Sequence, residues 1–213
     1  MLTEMLNKAG IATLEIDMFP RGGRPQSTRF TMPHGCGSLI FLATHPRIEP
    51  QRIGVIGFSW GGIMALLMAS DEVTQQYTGG QARFAAHIPV YPVCWAHSAI
   101  LAGKNNFYGA GTYRRVTGAP VHILTGEYDD YDDPDSCPKF VAALPEDVRR
   151  HFAVTVYPRA YHGFDQPSGD REYKDVAAHK GTGGRVTHRE NAEVATKARQ
   201  FAVEFFQTHL GVK

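Results

Sequence analysis

The apolar positions along the chain fall into runs of two kinds. Short continuous or alternating runs read as strands: "IATLEI" (11–16), "RIGVIGF" (52–58), "ARFAAHIPVY" (82–91), "PVHILTG" (120–126) and "HFAVTVYP" (151–158), the last with period-two alternation. Between them stand segments of helical spacing: "SLIFLATH" (38–45), closed by Pro46, "WGGIMALLMAS" (60–70) and "PDSCPKFVAAL" (134–144). The prolines of the last lie in its first turns, where a missing N–H is tolerated. The C-terminal helix is the clearest. Val194, Ala198, Phe201, Phe205 and Leu210 recur on one face, with Lys197, Arg199 and Glu204 off it. Residues 165–190 are polar and glycine-bearing and read as a long surface loop. Strand, helix, strand, helix predicts an α/β fold, a mostly parallel sheet with helices on both faces. No internal repeat or linker interrupts it, so one domain over 1–213 is expected.

Composition narrows the function classes. The chain has 213 residues, 43% hydrophobic and 20% charged, enough to bury a real core and too apolar for disorder. Its 22 basic and 21 acidic residues leave a formal charge of +1, with no basic surplus to grip nucleic acid or anionic lipid. No apolar run reaches membrane-spanning length. The start, "MLTEMLNKAG", carries an acid and a lysine where an apolar export segment would run, so a cytoplasmic location is expected. Three cysteines fit no zinc spacing.

The candidate chemistry begins at "GVIGFSWGG" (54–62). Gly57-x-Ser59-x-Gly61 lies between a predicted strand and a predicted helix, the setting of a nucleophile elbow. The bare motif is common; the strand before it and the helix after it give it weight. On this reading a Cβ at either glycine would collide with the neighbouring strand or helix. The amide of Trp60, at the helix start, would face an oxyanion beside the hydroxyl. A serine hydroxyl also needs a base. The loop after "PVHILTG" holds Glu127, Asp129, Asp130, Asp132 and Asp133, and the loop after "HFAVTVYP" holds His162. Serine, acid, histidine, each just past a strand, is the order this elbow requires. The acidic run lacks the glycine and distal glutamate of a calcium loop. No phosphate-binding loop occurs, and "GTGG" (181–184) follows no predicted strand.

Taken together, "RIGVIGFSWGG", "GEYDDYDDP" and "VYPRAYHGFDQP", with "AGIATLEIDMFPRGG" and "THPRIEPQ", resemble the dienelactone hydrolase family of α/β-hydrolases over nearly the whole chain. The resemblance implies an α/β-hydrolase fold and a cofactor-free, metal-free esterase acting on a small-molecule ester, with neither nucleic acid nor membrane as partner. Ser59 would attack, His162 would shuttle the proton, and an acid would orient the histidine. Counting from Gly126 favours Asp129 as that acid; counting back from Pro134 favours Asp130. We take Asp129, with Asp130 as the alternative.

Beside the unsettled choice of acid, two departures qualify the resemblance. Dienelactone hydrolases proper carry cysteine at the elbow where this chain has Ser59, which points to other esters as substrates. The family's fold begins with strands that precede anything here: residues 1–9 match its first large helix and "IATLEI" its fourth strand. An N-terminally truncated fold without the loop that supplies the second oxyanion amide is therefore expected. "HGCG" (34–37) resembles that loop by letters but stands after the wrong strand, and reads as a turn opening helix 38–45. Cys94 and Cys137 would come near the site edge, as a disulfide or as two buried thiols. The expected function is ester hydrolysis through an acyl-enzyme. Thioesterase, lactonase or peptidase activity on the same machinery, and a non-catalytic, truncated or degenerate hydrolase, are the alternatives.

Overall fold

A computed structural model describes residues 1–19, 22–23, 25, 27–105, 107–167 and 169–212. Its centre is a parallel sheet of β1 (Gly54–Phe58), β2 (Ala86–Val90), β3 (Val121–Tyr128) and β4 (Phe152–Tyr161), in the order β1-β2-β3-β4. Gly54 pairs with Ala86, His87 with Val121, and Val121 with Phe152, so the strands start level and their C-terminal ends form one rim.

The two faces of the sheet feed two cores. Ala86, Ile88 and Val90 of β2 and Leu124 of β3 pack with Leu6 of α1 (Leu2–Lys8) and with Val194, Ala198, Ala202, Phe205 and Phe206 of α9 (Ala192–Leu210). On the other face Val121 and Ile123 meet Leu39 of α2 (Met32–Thr44), Met64 and Leu67 of α3 (Trp60–Leu67), Ile100 of α5 (Cys94–Leu101) and Phe140 of α6 (Ser136–Ala142). Val73 of α4 (Asp71–Thr78) joins that second core, as does Val148 of α7 (Glu146–Arg149). Period-two alternation in the strands and helical spacing in α9 are thus both used for burial.

Three expectations need correction. Residues 11–17 form no strand, and Leu14 and Ile16 stay 44% and 41% exposed. Alternation alone makes no strand; a neighbouring backbone must take its N–H and C=O groups, and no described ladder reaches this segment. Helix 38–45 starts earlier, at Met32, so "HGCG" lies inside α2 rather than in a turn. Gly35 lets α2 approach α3, for a Cβ there would stand 3.0 Å from Met64 Cε. Finally, 165–190 is not simply a loop. It contains β5 (Arg171–Asp175) and β6 (Gly184–His188), an antiparallel pair joined through the short turn α8 (Ala178–Gly181). Its polar residues are the wet face of a hairpin whose other face carries Tyr173 and the buried Val186. Cys94 and Cys137 are joined as a disulfide between α5 and α6, and Cys36 is a free buried thiol. No helix among the described residues is long and apolar enough to cross a membrane.

Candidate active site

Strand β1 ends at Phe58 and α3 begins at Trp60, leaving Ser59 alone to turn the chain. It does so with φ 50° and ψ −111°, a strained backbone for a residue with a Cβ. Hydrogen bonds from Ser59 N–H to Val90 O (3.0 Å) and from Ile63 N–H to Ser59 O (2.9 Å) hold it there. The glycines divide the steric work differently from the motif. A Cβ on Gly57 would lie 2.1 Å from Gly61 O, and one on Gly62 would lie 2.5 Å from Val90 O. Among the described residues, a Cβ on Gly61 would meet nothing nearer than Met18 Cε at 3.5 Å. The second sterically required glycine is therefore Gly62, where α3 crosses the end of β2, and not Gly61.

The rim brings Ser59, His162 and Asp129 together. The Ser59 hydroxyl lies 2.8 Å from His162 Nε2 and can donate to it. His162 Nδ1–H donates to Asp129 Oδ2, also at 2.8 Å. Both inner side chains are sealed from water, His162 at 2% exposure and Asp129 at 1%. Asp129 Oδ1 accepts the Tyr131 N–H at 2.9 Å, so both carboxylate oxygens are engaged. Gly163 follows with φ +71°, and His188 packs so close that a Cβ there would stand 2.6 Å from its ring. The glycine after the histidine is needed for both reasons.

The other acids of the loop go elsewhere. Asp130 Oδ2 accepts the Thr187 N–H of β6 at 2.7 Å, so Asp130 holds the hairpin and not the histidine. Glu127 accepts the Arg159 N–H at 2.8 Å, and Asp133 pairs with Lys180 at 2.5 Å. Asp132 accepts the N–H groups of Cys94 and Trp95 at the start of α5. Burial, and then the charge of Asp129, push the Asp132 carboxyl up to about 7. Cys94, Asp132 and Cys137 lie close enough to suggest a metal site, but both sulfurs are spent in the disulfide.

Trp60 stands at the first position of α3, so its amide points along the helix N-terminus beside Ser59, and its indole N–H donates to Thr31 Oγ1 at 2.9 Å. Sequence reasoning missed the aromatic surroundings of the histidine. The rings of Tyr91 and Tyr131 lie 4.6 and 4.5 Å from that of His162, and His188 lies 5.5 Å away. The only signal for Tyr131 is an aromatic residue inside an acidic run. Tyr91 stands just past β2, before Pro92, and its hydroxyl donates to Asp165 at 2.5 Å.

With this geometry in hand, similarity to known proteins takes on meaning. The model of the dienelactone hydrolase family matches residues 35–210. The chain belongs to the dienelactone hydrolase family. The match takes in β1, the elbow, the acid loop and the histidine. The fold of this family member is that of the α/β-hydrolases. It is similar to a carboxylesterase from Lactobacillus plantarum (TM-score 0.62, 19% identity, covering 97% of this chain and 78% of that one). It is also similar to Est1E from Butyrivibrio proteoclasticus (TM-score 0.60, 14% identity, covering 95% and 79%). A serine hydrolase homologue from Coxiella burnetii gives a TM-score of 0.53 at 18% identity; the match covers 76% of this chain and 66% of that one, under two thirds of its length. No curated protein matches the chain in sequence. The family is, by its description, one of hydrolases.

Proposed function

We propose that this family member is a serine hydrolase of carboxylic esters, working through Ser59, His162 and Asp129. The observation that carries the reading is the line of hydrogen bonds from Asp129 through His162 to Ser59. It ends on a hydroxyl lifted clear of the strand by a strained turn. With Nδ1 protonated and held by Asp129, Nε2 is the free base facing the hydroxyl. Ser59 Oγ attacks the ester carbonyl carbon as its proton passes to Nε2. The carbonyl oxygen becomes an oxyanion beside the Trp60 amide. His162 then gives the proton to the departing alkoxide, leaving an acyl group on Ser59. Water repeats the sequence and releases the acid. Thioesters, lactones and peptides would use the same atoms.

The test is labelling with a fluorophosphonate probe and hydrolysis of p-nitrophenyl acetate. The wild type is expected to label and to turn over. Ser59→Ala should not label, and His162→Ala should lose on the order of 10⁴-fold or more in kcat. Equal labelling of wild type and Ser59→Ala would remove the nucleophile. A folded wild type that neither labels nor hydrolyses would remove the activity.

A further inference from the structure

His162 is not held by Asp129 alone. Tyr131 grips both partners: its N–H donates to Asp129 Oδ1 at 2.9 Å, and its ring lies 4.5 Å from the His162 ring. Its own phenol points away from the site. The hydroxyl donates to Asp175 Oδ2 at 2.9 Å and accepts from the Tyr173 hydroxyl at 3.2 Å. Tyr173 in turn accepts from His188 Nε2 at 3.0 Å, and His188 Nδ1 accepts from Arg171 Nη2 at 3.3 Å. Every donor in this line finds an acceptor, and the line runs in one sense from a guanidinium to a carboxylate. The four residues beyond Tyr131 all lie on β5 and β6.

The hairpin is also stitched to the backbone of the acid loop. Asp130 O accepts the His179 N–H at 2.8 Å, and Tyr131 O accepts the Lys180 N–H at 3.2 Å. Together with the Thr187 N–H on Asp130 Oδ2, these bonds fasten the loop between Asp129 and Tyr131 to β5–β6.

We propose that the β5–β6 hairpin is the positioning element of the hydrolytic site and that Tyr131 is the positioning residue through which it acts. The proposal rests on the reading of Ser59, His162 and Asp129 as a triad. Tyr131 touches no reacting atom. It fixes the rotation of the Asp129 carboxylate and the tilt of the imidazole, and the phenol bonds fix Tyr131. Catalysis by proton transfer tolerates only about half an ångström of misplacement, so freeing the phenol lowers kcat and leaves KM alone.

The experiment is a double-mutant cycle of Tyr131→Phe and Asp175→Ala, read in two ways. For p-nitrophenyl acetate each single variant is expected to lose about tenfold in kcat at unchanged KM, the worth of a hydrogen bond to a charged acceptor. The double variant should fall no further than the worse single, because both reach His162 only by freeing the same Tyr131 phenol, whatever else each gives up within the hairpin. Glu172→Ala, which removes the hairpin's exposed ion pair with Arg185, should match the wild type. The second readout needs no substrate: solvent exchange of the His162 Nδ1 proton, by NMR of histidine-labelled protein. It should quicken about tenfold in both singles. Losses that multiply in the double variant, a raised KM at unchanged kcat, or unchanged kcat and exchange would each overturn the proposal. A wild type without turnover overturns the esterase reading instead, and the exchange rates then decide this one.

Discussion

Two adjacent carboxylates, Asp129 and Asp130, make opposite forecasts. Asp129 is buried, 2.8 Å from His162 Nδ1, and accepts a second N–H from Tyr131. Asp129→Asn is isosteric and removes only the charge and the acceptor at one atom. As the proton leaves Ser59, the imidazole becomes a cation about 4 Å from the lost charge. At an effective dielectric near 20, that charge contributes about 4 kcal/mol, on the order of 10³ in rate. If the asparagine amide donates to Nδ1, the ring proton moves to Nε2 and the base is lost as well. The combined loss in kcat is expected at about 10³ to 10⁴-fold. Asp130→Asn keeps an oxygen for the Thr187 N–H, so its cost stays below about 1 kcal/mol and kcat stays within about fivefold. The assay is initial-rate hydrolysis of p-nitrophenyl acetate at mildly alkaline pH, with the fluorophosphonate labelling rate measured in parallel and a thermal melt to show that both variants fold. The reasoning is refuted if Asp130→Asn loses as much as Asp129→Asn. It is also refuted if Asp129→Asn keeps more than about a tenth of wild-type kcat.

Two further forecasts concern stability. Gly62→Ala drives a Cβ to 2.5 Å from Val90 O, against backbone that cannot swing aside, and should cost about 3 kcal/mol or more, read as a fall in Tm. Among the described residues Gly61→Ala meets only Met18 Cε, and it gains helix propensity, so its Tm should hold or rise; a matching loss at both sites would void the steric assignment. Burial lowers His87 to about 4 and His97 to about 3, so both stay neutral in the folded chain while the unfolded chain takes up protons below the ordinary value of 6.5. A lowered histidine contributes stability that is present above 6.5 and lost as pH falls through that window. His87 alone should account for about 3 kcal/mol of loss by pH 4, seen as an acid shift in the urea midpoint that shrinks in His87→Gln.

What could be read in advance, and what could not, follows from where the restraining groups lie along the chain. Strands β1 to β4 and α9 were legible because burial writes its period into neighbouring residues. The positions of Ser59 and His162 were legible because each directly follows such a strand. "IATLEI" carries the same alternation and is no strand, because a ladder depends on a partner that local pattern cannot supply. The segment 165–190 is the reverse case, polar in pattern yet holding β5 and β6. There the inward apolar signals, Tyr173, Ala178 and Val186, are sparse among the described residues, and the glycines of "GTGG" read as loop although they stand at the turn into β6. The choice between Asp129 and Asp130 was open for the same reason. Adjacent residues leaving a strand point to opposite sides, and which side faces the histidine depends on the register of β3 with β4, which is irregular between Gly126 and Tyr128. The missed hairpin and the ambiguous acid are therefore one problem. Asp130 takes an N–H from β6 while Asp129 faces His162, and we expect the first engagement to hold the second in place beside the register of β3 and β4. Removing that N–H tests the link. Thr187→Pro deletes the donor while keeping the chain. If the hairpin directs the acid, the variant should lose kcat without the charge at Asp129 being touched. Full activity in a folded Thr187→Pro would show instead that the register of β3 and β4 alone aims the carboxylate.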